Sequence, residues 1–291
     1  MGDRIDDTGD TPRSPSLAEV RRRLRTMGTD PGDISDLATA AIDLGALNRP
    51  GLRIDAYYRH LDTLVADVRA YAGDPREADV AGALDALVQV IARRYGYGGG
   101  EDVFEDIDAA NLTRVIDNRD GLPVAVGILY IHVARAVGWH AAGVDFPGRF
   151  LVRLEVEGER RLFDPYDDGR SLEPHDLREL LKSGAGLDAE LEPHHYREAS
   201  NRQVLVRLQN NIKVRLLKRD AFDDALQTIK DTLLIAPENA SLWREAGMIH
   251  NRLDQVKDAI MALEEFIRLD TGSESRYSTS VLLQQLRAKL N

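Results

Sequence analysis

The sequence predicts an α+β fold followed by an all-α region. Apolar residues recur every three or four positions along most of the chain, which is typical of amphipathic helices. Strict alternation with a period of two occurs only within residues 140–163, which indicates a small antiparallel sheet. From residue 201 onward the pattern is helical again and contains a 34-residue repeat.

Composition and charge limit the classes of function. The 291 residues provide room for about two domains, at roughly 100–200 residues each. The 38 basic and 49 acidic side chains give a net charge of −11, which argues against a nucleic-acid partner. No apolar run approaches the roughly 20 residues of a membrane-spanning helix. Cysteine is absent and no secretory signal is recognisable, so we expect a cytoplasmic protein without disulfides.

The first two thirds begin with helices. Residues 1–15 are polar and rich in Asp, which predicts a disordered tail. Ser16 and Glu19 form a capping-box pattern that predicts a helix up to about Met27. Apolar spacing predicts four further helices, at residues 34–47, 54–68, 80–95 and 122–137. The last is apolar on nearly all sides, which indicates a buried helix.

Strands follow this buried helix. We predict a first strand at His140–Phe146, a second around residues 150–156, and a return strand that begins at Arg161. The turn signal Glu157-Gly158 separates the last two. A short meander after several helices predicts a small antiparallel sheet packed on the buried helix.

The C-terminal region carries a tetratricopeptide pattern. Trp243, Gly247 and Ala259 have the spacing of that repeat, which predicts copies at residues 206–239 and 240–272 and a capping helix at 274–290. The first copy has Gln209 and Lys213 in place of Trp and Gly, so an ordinary pair of helical hairpins remains the alternative. Because two repeats rarely bury their faces alone, we expect them to dock on the first domain. The predicted domains are residues 16–195 and 196–291.

Three motifs carry a family resemblance. They are Asn118-Arg119-Asp120-Gly121-Leu122-Pro123, Phe146-Pro147-Gly148-Arg149-Phe150 and Asp164-Pro165-Tyr166. With this order and spacing, the chain resembles the bacterial SirB-type (YchA-like) proteins. The resemblance implies a transglutaminase-like core followed by tetratricopeptide repeats, and a regulatory role in a bacterial cytoplasm.

The resemblance also implies where a catalytic triad would lie. The wider superfamily uses a Cys at the start of the buried helix, a His on the next strand and an Asp on the strand after it. The matching positions here are Ala125, Arg149 and Asp164. Alanine has no nucleophilic atom, and arginine stays protonated and is not a general base at neutral pH. We therefore expect a pseudoenzyme in which Asp164 pairs with Arg149 or caps the following turn.

Other candidate sites are weaker. His194 and His195 lack a third ligand at a known spacing, and the acidic loop around Asp106 and Asp108 lacks the pattern of a calcium loop. We predict no metal and no cofactor.

The repeats provide the candidate binding surface. In the tetratricopeptide register the first helix of each pair lines a groove, whose residues are Arg207, Asn210, Val214, Arg244, Met248, Asn251 and Arg252. Guanidinium and amide groups suit carboxylates and extended backbone, so we predict an acidic or C-terminal peptide. The alternative is that this face packs on the first domain.

The sequence thus favours a non-catalytic scaffold or regulatory protein that binds a protein or peptide, and neither nucleic acid nor membrane. Two alternatives stay open. One is a hydrolase or peptidase with a displaced site near Asp164. The other is a sensor that binds peptide ends or small ligands in the vestigial cleft at the triad positions.

Overall fold

A computed structural model describes residues 14–100 and 103–290 of the chain. The disordered tail predicted for residues 1–15 therefore lies almost wholly outside the described residues. Of that segment Ser14 and Pro15 are described, and the Ser14 hydroxyl donates a hydrogen bond to Asp55.

Six α-helices precede the sheet in the described residues. They are α1 (Leu17–Thr29), α2 (Leu37–Leu47), α3 (Ile54–Ala72), α4 (Val80–Val88), α5 (Leu112–Asn118) and α6 (Pro123–Val137). The capping box of Ser16 and Glu19 forms as predicted at the start of α1. The helix predicted to reach residue 95 is α-helical only to Val88 and continues as a π-helical segment, Gln89–Arg94. Helix α5 was not predicted, because seven residues are too few to show a clear period.

The sheet has four antiparallel strands in the order β1-β2-β3-β4. They are β1 (His140–Phe146), β2 (Arg149–Val156), β3 (Glu159–Asp164) and β4 (Arg170–Leu172). Helix α6 packs closely on one face, because a Cβ atom at Gly127 would lie 2.6 Å from the Phe150 ring. The fourth strand was not predicted, since three residues carry too little alternation to be recognised.

Helix α7 (Pro174–Ala185) covers the other face of the sheet. Leu177 and Leu181 of α7 join a small apolar cluster with Val144 and Leu151. The sheet is therefore buried between two helices. Helix α7, like α5 and β4, was absent from the prediction.

From Asn201 onward the described chain is helical. It comprises α8 (Asn201–Lys218), α9 (Phe222–Leu233), α10 (Ala240–Arg252), α11 (Val256–Leu269) and α12 (Ser273–Leu290). Helices α8 to α11 form two pairs and α12 packs on α11, in agreement with two repeats and a capping helix. Lys213, at the glycine position of the first copy, is only 5% exposed, and its ammonium group pairs with Glu245 of α10.

The repeats share one hydrophobic core with the first part of the chain. Leu208 of α8 and Ile229 of α9 belong to the same buried cluster as the residues of α2, α3 and α6. Helix α1 strengthens this junction. Its Arg21 pairs with Asp231 of α9 at 3.1 Å, and its Arg23 pairs with the buried Asp43 of α2 at 2.5 Å. The repeats are thus docked on the first domain.

Candidate functional site

Arg149 and Asp164 meet where β2 begins and β3 ends. The Arg149 Nε–H donates to Asp164 Oδ2 at 2.5 Å, and the Tyr166 backbone N–H donates to Asp164 Oδ1 at 2.9 Å. The Asp164 side chain is 3% exposed and that of Arg149 is 32% exposed. The carboxylate therefore makes both predicted structural contacts, with the guanidinium and with the turn that follows it.

Tyr166 connects this pair to the loop that precedes helix α6. The Arg149 guanidinium carbon lies 5.6 Å from the centre of the Tyr166 ring. The Tyr166 hydroxyl donates to the Gly100 carbonyl oxygen at 3.0 Å, and the Gly100 N–H donates to Asp120 Oδ1 at 2.7 Å. Burial and the nearby Asp120 carboxylate raise the pKa of the Tyr166 hydroxyl, so it stays protonated as a donor.

Ala125 lies in the first turn of α6 and is fully buried. Its methyl group offers no polar atom to the Arg149–Asp164 pair. Within the described part of the chain, the hydrogen bonds of the Asp164 carboxylate are those to Arg149 and Tyr166, and neither Ser nor His is among its partners. The three positions thus present an ion pair and an alanine, with no nucleophile hydrogen-bonded to a base.

A second polar cluster lies beside the loop that precedes α6, and sequence reasoning missed it. Arg119 adopts a left-handed backbone conformation, with φ 66°, at the end of α5. Its guanidinium donates to the Tyr97 hydroxyl and lies 2.8 Å from His60 Nε2. Burial and this cation lower the pKa of the His60 imidazole to about 4, so the ring is neutral. The only signal in the sequence was Arg119 itself, within the Asn-Arg-Asp-Gly motif.

The predicted groove residues divide into two groups. Val214, Met248, Arg244 and Arg252 are exposed, with 39% and 47% exposure for the two apolar side chains. Asn210 is also exposed and Asn251 is half-buried. We call these six residues the repeat face. They lie on α8 and α10, which the ion pair of Lys213 and Glu245 links across the groove.

Arg207 behaves differently from the other groove arginines. It forms an ion pair with Asp145 of β1, and its guanidinium carbon lies 5.7 Å from the centre of the Phe150 ring. Burial lowers the pKa of the Arg207 guanidinium, although it remains charged. Arg207 therefore packs on the first domain, which was the alternative predicted for the whole groove. Arg244 and Arg252 do not, and remain open to solvent.

A cleft of about 1400 Å³ adjoins Arg207 and Asn210. One wall is α8 and the other is the sheet, represented by Asp145 and Phe150, with the segment 197–199 beside it. Sequence reasoning placed the groove on the repeats alone. The wall that the sheet contributes was not predicted, because the local sequence pattern does not indicate which strand will face a distant helix.

Among the residues that the structure describes, no group of three His, Asp or Glu side chains is arranged to hold a metal ion. No helix in the described ranges combines the length and the apolar character needed to cross a bilayer.

Comparison with known proteins identifies the family. A family described as the transglutaminase-like superfamily matches residues 55–210, and one described as tetratricopeptide repeat matches residues 212–284. The chain is 30% identical over 185 residues to the UPF0162 protein YchA of Escherichia coli K12, covering 63% of this chain and 68% of that protein. It belongs to the SirB/YchA family of the transglutaminase-like superfamily. The resemblance and the fold class predicted from the sequence are both confirmed.

Two further members of the SirB/YchA family show the extent of the likeness. SirB1 of Salmonella typhimurium LT2 is 28% identical, covering 63% of this chain and 68% of that protein. A UPF0162 protein of Vibrio cholerae is 25% identical over 235 residues, covering 81% of this chain and 86% of that protein. The chain spans 66% of a relative from Xylella fastidiosa.

Proposed function

We propose that this member of the SirB/YchA family is a cytoplasmic, non-catalytic interaction protein whose repeat face binds an acidic or C-terminal peptide. One observation carries the proposal. Arg244 is exposed next to Met248 on α10, and no carboxylate of the described residues lies within ion-pair distance of it. Its guanidinium carbon lies 5.9 Å from the centre of the Phe266 ring, so among the described residues its charge is balanced by no carboxylate. A guanidinium without a carboxylate partner beside an exposed apolar side chain is a combination that binding partners use.

The charges on the repeat face support an acidic ligand. The Arg252 guanidinium lies 4.1 Å from the centre of the Phe222 ring and 3.9 Å from a carboxylate oxygen of Asp220, which is itself 79% exposed. Such an exposed pair contributes little and is easily exchanged for another carboxylate. In a chain with a net charge of −11, two available guanidinium groups on one face give a local field that favours anions.

The transglutaminase-like core acts as a support in this proposal. Ala125 has no nucleophilic atom, and Arg149 is engaged by Asp164. The sheet contributes a wall of the cleft through Asp145 and Phe150, next to Asn210 of the repeat face. A peptide on the repeat face has room to continue into this cleft.

The test measures binding to an array of acidic peptides, each made with a free and with an amidated C-terminus. We expect Arg244→Glu/Arg252→Glu to lose at least tenfold in affinity while its thermal unfolding is unchanged. The control is Arg59→Glu/Arg160→Glu, because both arginines are 63% exposed and lie on the first domain. Equal binding by both double variants, or unfolding of the first, would contradict the proposal.

A further inference from the structure

A second groove lies where helix α1 meets the repeats, away from the repeat face. The groove has a volume of about 480 Å³. Its floor is apolar and is formed by Leu233, Leu234, Pro237, Trp243, Ala246, Met261 and Ala262. We call it the α1 groove. Met261 is 65% exposed, which is unusual for a large apolar side chain.

The side chains of α10 show that the two surfaces are separate. Trp243 and Ala246 line the α1 groove, whereas Arg244 and Met248 lie on the repeat face. Since residues 246 and 248 are about 200° apart on a helix, the two surfaces lie on different sides of α10. A ligand of one surface does not occupy the other.

Helix α1 shows that this side of the repeats accepts a helix. At Gly28 the backbone of α1 comes so close to α9 that a Cβ atom there would overlap the Leu234 carbonyl oxygen. Arg21 of α1 also pairs with Asp231 of α9. The α1 groove begins at Arg25 and Thr29 of the same helix and extends to α11. It therefore continues an interface that already holds one helix.

The rim of the groove has an excess of positive charge. Arg25 of α1 and Lys230 of α9 are exposed, and neither has an ion-pair partner among the described residues. Across the groove the rim carries one carboxylate, Asp258 of α11. An apolar floor beside two free cations is complementary to an apolar stripe flanked by carboxylates.

We propose that the α1 groove is a second docking site, which binds an amphipathic helix of a partner protein with acidic residues along one flank. The apolar stripe packs on Trp243 and Met261, and the acidic flank faces Arg25 and Lys230. The helix lies beside α1 as α1 lies beside α9. This mode of recognition places residues spaced by three and four positions into a groove.

The experiment uses the full chain and a synthetic amphipathic peptide of about four helical turns, with leucines on one stripe and glutamates on its flank. A second peptide has lysines in place of the glutamates. Binding is followed by tryptophan fluorescence in Trp139→Phe, which leaves Trp243 in the groove as the reporter, and by anisotropy of the labelled peptide with the unaltered chain.

We expect the glutamate peptide to change the Trp243 emission and to bind at least tenfold more tightly than the lysine peptide. Met261→Glu and Arg25→Glu/Lys230→Glu should each weaken binding at least tenfold. Leu187→Glu is the control, because it places the same charge at an exposed apolar side chain outside both the repeat face and the α1 groove, and it should bind as the unaltered chain does.

Three results would overturn the proposal. They are equal affinity for the two peptides, unchanged binding by Met261→Glu, and a dimer of the chain that Met261→Glu converts to monomer, which would show that a second copy occupies the groove. Because Arg244 and Arg252 play no part here, failure of this site leaves the test of the repeat face unaffected.

Discussion

Arg149 Nε and Asp164 Oδ2 lie 2.5 Å apart, at the two positions that the sequence resemblance assigns to the base and the orienting carboxylate of a triad. The carboxylate is almost fully buried and the guanidinium is partly exposed. Since arginine does not release its proton at neutral pH, the contact is a charge-assisted hydrogen bond that holds the ends of β2 and β3 together.

We expect Arg149→Ala to destabilise the fold by about 2–3 kcal/mol. Its removal leaves the buried Asp164 carboxylate with only the Tyr166 N–H as a partner. The effect falls below the roughly 3–5 kcal/mol of a wholly buried pair, because a third of the Arg149 side chain is exposed. Urea unfolding measures the change.

The control for this measurement is Arg160→Ala, which removes an exposed arginine from the same sheet. Arg160 Nε lies 2.7 Å from Glu155 Oε2, but the side chain is 63% exposed, so the expected change is about 0–1 kcal/mol. Equal effects of the two substitutions would show that the Arg149–Asp164 pair contributes no more than a surface ion pair.

We expect no release of ammonia from glutamine amides and no transfer of acyl groups to amines. Ala125→Cys alone should also remain inactive, since no base is available and the site is fully buried. Its thiol should react slowly with an aromatic disulfide reagent in the folded chain and rapidly in urea. Ammonia release that scales with protein concentration and disappears in Asp164→Asn would instead favour a displaced active site.

Stability should decrease as the pH falls from about 6.5 to about 4, in part because of His60. The folded chain holds the His60 pKa at about 4, whereas the unfolded chain binds a proton near pH 6.5. Between these values the unfolded state binds more protons, so acidification favours unfolding. We expect His60→Gln to reduce the slope of stability against pH in this window. Identical slopes, measured by urea unfolding at several pH values, would contradict the assignment.

Binding of an acidic peptide to the repeat face should weaken as salt rises. Exposed charges are screened over about 8 Å at physiological ionic strength, so the contribution of Arg244 and Arg252 decreases while contacts to Met248 and Asn251 persist. Titrations from low to high salt should therefore reach a plateau of weak binding. In Arg244→Glu/Arg252→Glu the salt dependence should disappear or change sign.

Gly28→Ala should destabilise the chain by about 1–3 kcal/mol, the usual effect of inserting atoms into a packed contact. The added methyl group would overlap the Leu234 carbonyl oxygen and push α1 away from α9. Gly82→Ala in α4 is the matched control. That site is exposed, and alanine there should be neutral or stabilise by up to about 1 kcal/mol through its helix propensity.

The elements with a long, clear period were predictable from the sequence, and the short ones were not. The bounds of β1 agree with the prediction, and those of α6 and of α12, the predicted capping helix, agree within one residue. Strand β1 belongs to the alternating stretch, and α6 is a long apolar run that begins at a proline and ends at a glycine. Strand β4 and helix α5 have three and seven residues, which are too few to show a period. Helix α7 did carry a signal that was overlooked, with Pro174 at its first position and Leu177, Leu180 and Leu181 on one face. The pairing of Arg149 with Asp164 was anticipated from chemistry, since a buried carboxylate needs a partner.

Contacts between distant parts of the chain could not be predicted in the same way. Arg207 was placed with Arg244 by the repeat register, yet it pairs with Asp145 of β1. The cluster of His60, Tyr97 and Arg119 joins residues up to 59 positions apart. Such contacts depend on how helices and sheet are oriented, which no local spacing records.

Helix α8 makes the two parts of this protein inseparable. The match to the transglutaminase-like superfamily ends at residue 210 and the match to the repeats begins at residue 212, so the border falls in the middle of a continuous helix, Asn201–Lys218. Recombination at that border would divide one helix between two genes and expose Leu208 and Ile212, which are buried in the shared core. The core and its repeats are therefore expected to be inherited as one unit, and a change in either part is constrained by the other.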